Sequence, residues 1–180
     1  MGKKVVVLGI TGSIAAYKAV DLTSMLVKAG VDVNIIMTDS ARKIITEQAF
    51  FTLSRNRVVT DLWTIPDWKP GHIELAEKAD LFVVAPCTAN FMGKYVNGIA
   101  DDALTTFALS HTGKTVLAPA MNTNMWNNPI VNRNYKNLLD LGVLFVGPAS
   151  GYLACGTEGK GKMSAPETIF EKITTLLKER

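Results

Sequence analysis

The stretch TVLAPAMNTNMW at residues 115–126 predicts a buried strand that runs into a proline and two amides. Residues 115–118 are apolar or β-branched, which is typical of a parallel strand covered on both faces. Pro119 has no N–H to donate and is expected to end the strand. Open α/β sheets bind ligands at the carboxyl ends of their strands, so Asn122 and Asn124 are placed to hold a carboxylate. The alternative is that both amides only cap the next helix, beside Met and Trp side chains of the core.

Units of apolar strand, short turn and helix recur along the 180 residues. The predicted strands are residues 4–8, 31–37, 58–60, 81–85, 115–118 and 143–146. Their alternation with helical patterns predicts an α/β fold, a doubly wound parallel sheet of flavodoxin or Rossmann type in three layers. We expect a single domain over residues 1–180. The glycine-rich segment 147–163 is predicted to be a mobile loop.

Composition narrows the class of protein. A hydrophobic fraction of 48% with 19% charged residues suits strands buried on both faces and leaves apolar area for subunit contacts, so we expect a homo-oligomer. The net charge of +3 is too small to indicate nucleic-acid binding. No signal peptide or membrane-spanning run is apparent, and Cys87 and Cys155 are too few for a disulfide framework. These features predict a cytoplasmic protein that binds neither nucleic acid nor membrane.

Two hydroxyl-bearing turns follow the first two predicted strands. Gly12-Ser13 opens the first helix, and Thr38-Asp39-Ser40 opens the second. These side chains can be ordinary helix caps, or they can together bind the phosphate of a mononucleotide. The turn at Gly9–Ser13 lacks the G-x-G-x-x-G fingerprint of dinucleotide sites, which argues against NAD.

Further polar residues stand near the same predicted sheet edge. Thr88, Ala89 and Asn90 follow the strand at 81–85, and His72 begins a helical segment. His111 instead precedes a strand, at the opposite end of the sheet. Cys87 is expected to be a small buried residue.

Separated motifs make the chain resemble the homo-oligomeric flavin-containing cysteine decarboxylases. They are PAMNTNMW at 119–126, HIELA at 72–76, TAN at 88–90, GIADD at 98–102, and ACG at 154–156 within a segment similar to that family's substrate flap. The resemblance implies FMN as the cofactor and no metal site. The FMN-binding residues it implies are Gly12, Ser13, Ile14, Thr38, Ser40, Thr88, Ala89, Asn90 and Ala120.

The resemblance also implies the reaction, in which 4′-phosphopantothenoylcysteine is decarboxylated to 4′-phosphopantetheine in coenzyme A biosynthesis. The flavin oxidises the carbon that bears sulfur and returns the electrons after carbon dioxide has left. His72 would be the acid/base near the thiol, Asn122 would fix the carboxylate, and Cys155 would protonate the enethiolate carbon. The implied substrate-binding residues are Met121, Asn122, Ala154, Lys160 and Lys162.

The chain departs from the family pattern at two positions. Phe91 stands where a small hydroxyl residue is usual, and Lys162 stands where arginine is frequent, which removes a bidentate contact there. The resemblance further implies a trimer or a multiple of trimers, with a separate ligase supplying the substrate. Alternatives are a peptidyl-cysteine decarboxylase of the same family and a non-catalytic regulatory flavoprotein, while a flavin prenyltransferase lacks the PAMNTNMW and ACG motifs.

Overall fold

The computed structural model describes residues 2–63 and 71–179, without the side chains of residues 71–73. The strands are β1 (Val5–Ile10), β2 (Asp32–Met37), β3 (Leu81–Cys87), β4 (Thr115–Pro119), β5 (Leu144–Phe145), β6 (Ala149–Tyr152) and β7 (Glu158–Lys162). The helices are α1 (Ala16–Lys28), α2 (Asp39–Arg42), α3 (Glu47–Ser54), α4 (Gly71–Lys78), α5 (Ala89–Val96), α6 (Ala103–Ser110), α7 (Thr123–Asn127), α8 (Pro129–Asp140) and α9 (Pro166–Lys178). No helix among the described residues is long and apolar enough to cross a membrane.

The first five strands form one parallel sheet in the order β2-β1-β3-β4-β5. This is the flavodoxin-type order, and it confirms the predicted doubly wound fold. Because all five strands run the same way, the segments that follow them emerge at one edge of the sheet. That edge carries the polar turns picked out in the sequence.

Both faces of this sheet are buried. On one face, alternate β1 residues such as Leu8 pack with apolar residues of α1 and α9. On the other face, Val7 and Phe82 pack with residues of α6, including Phe107. The rings of Phe82 and Phe107 meet edge to face with centroids 5.0 Å apart. Strands covered on both faces have no polar side, which explains the continuous apolar runs in the sequence.

Several predicted boundaries were wrong. Residues 58–60 do not form a strand of the sheet and contribute one parallel bridge, between Ile36 and Val59. The strand ends at Pro119 as predicted, but Pro119 itself is the last residue of β4 and pairs with Cys87, so the predicted bound of 118 is one residue short. In a parallel pair the flanking residues can make the hydrogen bonds, and here Ala120 N–H donates to the carbonyl of Cys87, so proline is tolerated at this position.

The segment 147–163 is not a structureless loop. Residues of β6 and β7 pair with each other in an antiparallel two-stranded sheet, which we call the hairpin. Buried Leu153 and Met163 anchor the hairpin to the rest of the molecule. Glycine composition predicted mobility, but glycine also permits close approach of backbones, and that is the use the fold makes of it.

One buried hydroxyl joins the ends of β1 and β3. Thr11 Oγ1 donates to the carbonyl of Pro86 at 2.8 Å and accepts the N–H of Thr88 at 3.1 Å. Thr11 is 2% exposed, so water cannot replace either bond. This hydroxyl fixes the spacing of two loops at the sheet edge.

We expect Thr11→Val to lower the free energy of unfolding by about 1–3 kcal/mol, because a buried carbonyl and a buried N–H both lose their partner. Thr11→Ser keeps the hydroxyl and should lose distinctly less. Urea unfolding followed by circular dichroism measures both variants. Equal stability of the valine variant and the unmodified protein would show that the bridge contributes nothing.

Candidate functional site

Two cavities adjoin at the carboxyl edge of the main sheet. The larger, of about 590 Å³, is bordered by loops that follow β1, β2, β3 and β4, and we call it the hydroxyl cavity. The smaller, of about 460 Å³, lies between α1, the loop after β4 and the hairpin, and we call it the lysine cavity. Ser13, Ala120 and Met121 line both cavities and form their common wall.

The predicted FMN-binding residues gather, with one exception, around the hydroxyl cavity. Those that line it are Gly12, Ser13, Thr38, Ser40, Thr88, Ala89, Asn90 and Ala120. Ile14 lines the lysine cavity instead and is 59% exposed. Met125 also borders the hydroxyl cavity and is about half exposed, whereas Trp126 is buried as a core residue.

Gly12 brings the first two loops together. A Cβ at this position would lie 2.4 Å from the Cβ of Ser40 and 3.1 Å from its carbonyl carbon, so only glycine fits. The predicted pairing of these two turns is therefore also a close packing contact. It puts both Ser13 and Ser40 on the lining of the hydroxyl cavity.

Two of the hydroxyl side chains are helix caps as well as cavity lining. Thr38 Oγ1 accepts the N–H of Ala41 at 3.3 Å, and Thr88 Oγ1 accepts the N–H of Phe91 at 3.4 Å. The capping interpretation of these residues is thus correct, and it does not compete with a ligand. A hydroxyl has two acceptor lone pairs and a proton, so capacity remains after a cap bond is made.

Carboxylates beside the hydroxyl cavity are already engaged. Lys94 Nζ lies 2.8 Å from both carboxylate oxygens of Asp101, and the Lys94 hydrogen bond holds the pKa of Asp101 below its usual value. Asp102 caps α6 by accepting the N–H of Thr105 at 2.7 Å. The Lys94 ammonium offsets the charge of Asp101, one of the carboxylates that border the cavity.

Phe91, the first departure from the family pattern, is a core residue. It is 2% exposed, and its ring centroid lies 6.4 Å from that of Phe82 and 5.7 Å from that of Tyr95. Phe91 lies in the first turn of α5, on the face of that helix that is buried against β3. The hydroxyl usual at this position is replaced by aromatic packing.

Asn122 and Cys155 meet in the lysine cavity. Asn122 caps α7, since its Oδ1 accepts the N–H of Asn124 at 2.8 Å. This bond fixes the orientation of the amide, and its Nδ2 then donates to Cys155 Sγ at 3.3 Å. The structure thus brings together two residues 33 positions apart in sequence, one from the loop after β4 and one from the tip of the hairpin.

The thiol of Cys155 is in a donor-rich setting. Its Sγ lies 3.1 Å from Oγ1 of Thr157, and the hydrogen bond from Thr157, followed by that from Asn122, lowers the pKa of Cys155 below its usual value. Cys87 is the opposite case, because full burial raises the pKa of its thiol far above the usual value. The prediction that Cys87 is a small buried residue is confirmed.

The hairpin is attached directly to the loop that carries Asn122. Met121 N–H donates to the carbonyl of Gly161 at 2.9 Å, and Gly161 has φ of +147°. A Cβ at Gly161 would lie 2.3 Å from the carbonyl oxygen of Met121, and one at Gly159 would lie 2.4 Å from Thr123 Oγ1. Both glycines are needed for the backbones to approach this closely. The contact sets the distance between the amide and the thiol.

Lys160 and Lys162 have different surroundings although they are two residues apart. In an undisturbed strand they would share a face, but the pairing with β6 skips one residue of β7 at Gly161, which inverts the alternation. Lys162 lines the lysine cavity. Lys160 lines neither cavity, and its Nζ lies 5.9 Å from the ring centroid of Trp126. The geometry therefore separates Lys160 from the other predicted substrate residues, Met121, Asn122, Ala154 and Lys162, which all line the lysine cavity.

The structure describes the side chain of His111 but not that of His72. His72 belongs to helix α4, but its side chain lies outside the described part of the structure, so its predicted role stays a prediction. His111 is buried just before β4 and stacks on Phe107 with centroids 5.8 Å apart. It is remote from the carboxyl edge, as expected.

Among the residues of the lysine cavity that sequence reasoning missed are Tyr17, Lys18 and Tyr152. Tyr17 and Lys18 lie in the first turn of α1, where the periodicity indicated a core face and gave no reason to select the outer residues. Tyr152 ends β6, a strand that the glycine-rich composition concealed.

The fold and site define a class: a doubly wound α/β protein with a hydroxyl-lined cavity and an adjoining thiol-bearing cavity at its carboxyl edge. A family model described as Flavoprotein matches residues 1–178, and the chain belongs to this family. A relative from Bacillus subtilis, the coenzyme A biosynthesis bifunctional protein CoaBC, is 48% identical over 92% of this chain and 41% of its own length. A probable phosphopantothenoylcysteine decarboxylase from Streptococcus mutans is 40% identical over 94% of this chain and 97% of its own length.

Solved structures with the same fold are similar to nearly the whole chain. A cysteine-to-serine mutant of PPC decarboxylase, complexed with pantothenoylaminoethenethiol, is 31% identical with a TM-score of 0.90 over 98% of this chain and 100% of that chain. The FMN binding protein AtHal3 is 31% identical with a TM-score of 0.87 over 99% of both chains. The present chain spans about two fifths of the length of its bifunctional relatives, at 41% and 44% for two of them.

The setting of Cys155 predicts a characteristic pH dependence of alkylation. Because its pKa is lowered, iodoacetamide should react with Cys155 at lower pH than with an ordinary thiol. Thr157→Val removes the leading donor, raises the pKa and should shift the half-maximal rate to higher pH. Mass spectrometry of peptides after timed alkylation measures the rate, with buried Cys87 as the internal unreactive control. Identical profiles for both proteins would show that Thr157 does not stabilise the thiolate.

Proposed function

We propose that the chain catalyses the FMN-dependent decarboxylation of 4′-phosphopantothenoylcysteine to 4′-phosphopantetheine. The observation that carries this proposal is the contact of Asn122 with Cys155, at 3.3 Å, in a cavity that shares a wall with the hydroxyl cavity. Membership of the Flavoprotein family and the names of the relatives support the same reaction.

The hydroxyl cavity suits FMN by the chemistry of its lining. Ser13, Thr38, Ser40 and Thr88 offer hydroxyls and Asn90 offers an amide, a donor set suited to phosphate and to a polyhydroxyl chain. The close approach permitted by Gly12 brings two of these loops to one place. When bound, FMN supplies a reversible two-electron acceptor, which a cysteine-derived carboxylate needs because it has no electron sink of its own.

The residues of the lysine cavity divide the remaining work. Asn122 Nδ2 is a directed hydrogen-bond donor, held by the cap bond of its own Oδ1, and it fixes the substrate carboxylate. Cys155 delivers a proton to carbon after carbon dioxide has left, and its lowered pKa makes the thiol a stronger acid for this step. His72 remains our candidate for the acid/base at the substrate thiol, on the sequence motif alone.

The proposed roles predict that variants of Cys155 and Asn122 stop the reaction at different steps. In anaerobic single turnover, Cys155→Ser should release carbon dioxide while the flavin absorbance stays bleached, because the final protonation fails. Asn122→Asp should release none, since a carboxylate there repels the substrate carboxylate. The measurement follows flavin absorbance and carbon dioxide together, with a peptide ending in cysteine as the comparison substrate.

Normal recovery of flavin absorbance in Cys155→Ser would remove the proton-donor role. Turnover of the peptide in preference to the phosphorylated substrate would replace the proposed substrate with a peptide. Absence of flavin from the purified protein, with no uptake of added FMN, would refute the proposed reaction as a whole.

Lys160 and Lys162 form a matched pair for testing the substrate site. Lys162→Ala should raise KM for the phosphorylated substrate about five- to tenfold, because it removes a cation from the cavity lining. Lys160→Ala should change KM less than about twofold, since its ammonium lies against Trp126 outside the cavity. Steady-state kinetics measures KM for both variants. An equal change of KM in the two variants would refute the proposal that Lys162, and not Lys160, binds the substrate.

Assembly and location form part of the same proposal. We infer a cytoplasmic homo-oligomer, a trimer or a multiple of trimers, that receives its substrate from a ligase activity. Exposed apolar side chains such as Ile130 and Phe51, at 60% and 49% exposure, favour association. Relatives named as bifunctional coenzyme A biosynthesis proteins support a link to a second activity. An active monomer in sedimentation would refute the oligomer.

A further inference from the structure

We propose that Tyr17 and Tyr152 are specificity-determining residues, whose rings hold the pantothenoyl arm of the substrate between the reacting cysteine and the phosphate. This inference rests on the proposed function and extends it to two residues for which the family motifs give no role.

The first observation is where the two rings lie. Tyr17 is in the first turn of α1 and Tyr152 is at the end of β6, so the two rings come from different elements of the fold. Both line the lysine cavity that contains Asn122 and Cys155. A ligand held by that amide and thiol therefore lies in a cavity with an aromatic side chain on α1 and another on the hairpin.

The second observation is their exposure. Tyr17 is 58% exposed and Tyr152 is 71% exposed, whereas Leu153 and Met163, which line the same cavity, are 8% and 2% exposed. The buried pair forms the floor of the cavity and the tyrosines form its mouth. Large aromatic surfaces left open at the mouth of a concave site favour a ligand that covers them, since each ring can bury a large apolar area.

The third observation is that each tyrosine has a neighbouring part of the site close to it. The hydroxyl of Tyr152 reaches across the hairpin to Gly156, where it lies 3.7 Å from the position of a Cβ on that glycine. Lys18 Nζ lies 6.0 Å from the ring centroid of Tyr17, within the range of a cation–π contact. Tyr152 therefore lies against the tip of the hairpin that carries Cys155, and Tyr17 lies beside a cation that lines the same cavity.

The chemistry of the arm matches these walls. The pantothenoyl arm has a carbon bearing two methyl groups, a hydroxyl and two amides, so it combines a compact apolar centre with hydrogen-bonding groups. Tyrosine presents an apolar ring and a hydroxyl that can donate or accept. The cysteine end is fixed by Asn122, so the arm must leave the reacting centre through the mouth. A peptide of arbitrary sequence has no fixed apolar group at that distance from its terminal cysteine.

The test uses the flavin-loaded protein and five variants: Tyr17→Ala, Tyr17→Phe, Tyr152→Ala, Tyr152→Phe and Leu141→Ala. Leu141 has the same 71% exposure as Tyr152 and lines neither cavity, so its variant is the matched control. Each protein is assayed with 4′-phosphopantothenoylcysteine. Inhibition by 4′-phosphopantothenate, which has the arm and phosphate without the cysteine, reports binding of the arm.

We expect each alanine variant to raise KM and the inhibition constant by about tenfold, from the loss of one apolar wall, with kcat changed less than about twofold. The phenylalanine variants keep the ring and should stay within about threefold of the unmodified protein. The Leu141→Ala control should be unchanged. A rise in both constants with rescue by phenylalanine would establish the role of the rings.

Unchanged KM and inhibition constants in both alanine variants would overturn the inference while leaving the proposed function in place. A changed sedimentation mass in the alanine variants, with an unchanged inhibition constant, would show that a second copy of the chain covers the rings and would also overturn it. If the unmodified protein does not turn over the phosphorylated substrate, the proposed function fails and the inference fails with it.

Discussion

The geometry of the site depends on one backbone hydrogen bond, from Met121 N–H to the carbonyl of Gly161. The hairpin pairs with no strand of the main sheet, so this bond and the close contact of Gly159 with Thr123 attach it to the loop after β4. The loop itself is fixed by the end of β4, where Ala120 N–H donates to the carbonyl of Cys87. The thiol of Cys155 is thus positioned by a chain of backbone contacts that starts in the buried sheet.

Much of the fold could be predicted because parallel strands buried on both faces leave a strong signal. Their apolar runs are continuous, and the turns after them contain the glycine and hydroxyl residues that the fold needs. Parallel direction then carries every such turn to one edge. This is why Gly12, Thr38 and Thr88 could be assigned to one edge of the sheet without knowledge of any distance, and in the structure all three line one cavity at that edge.

The remainder depends on backbone details that composition does not contain. The extra residue at Gly161 inverts the alternation of β7, so Lys160 and Lys162 lie on opposite faces, whereas a regular strand would put them on the same face. The sequence EGKGK at residues 158–162 does not distinguish a strand with a bulge from a flexible loop. Tyr17 was missed for a different reason. Helical periodicity identifies the buried face of a helix and assigns all other positions to the exposed face. Residues that line a cavity from an outer helix face are found only when the opposing element is in place.

The hairpin also shows why a reactive thiol can be carried on so glycine-rich a segment. Close approach to the loop that carries Asn122 requires glycine at 159 and 161, because a Cβ at either position would collide with residues 121–123. Glycine raises the entropy lost on ordering the segment, a cost that buried Leu153 and Met163 and the Met121 hydrogen bond offset. A thiol on a rigid strand of the main sheet would be buried like Cys87, with its pKa raised by desolvation. Placed on the hairpin, Cys155 stays exposed to a ligand while two donors lower its pKa, and a thiol at that position can exchange protons with a substrate in the cavity.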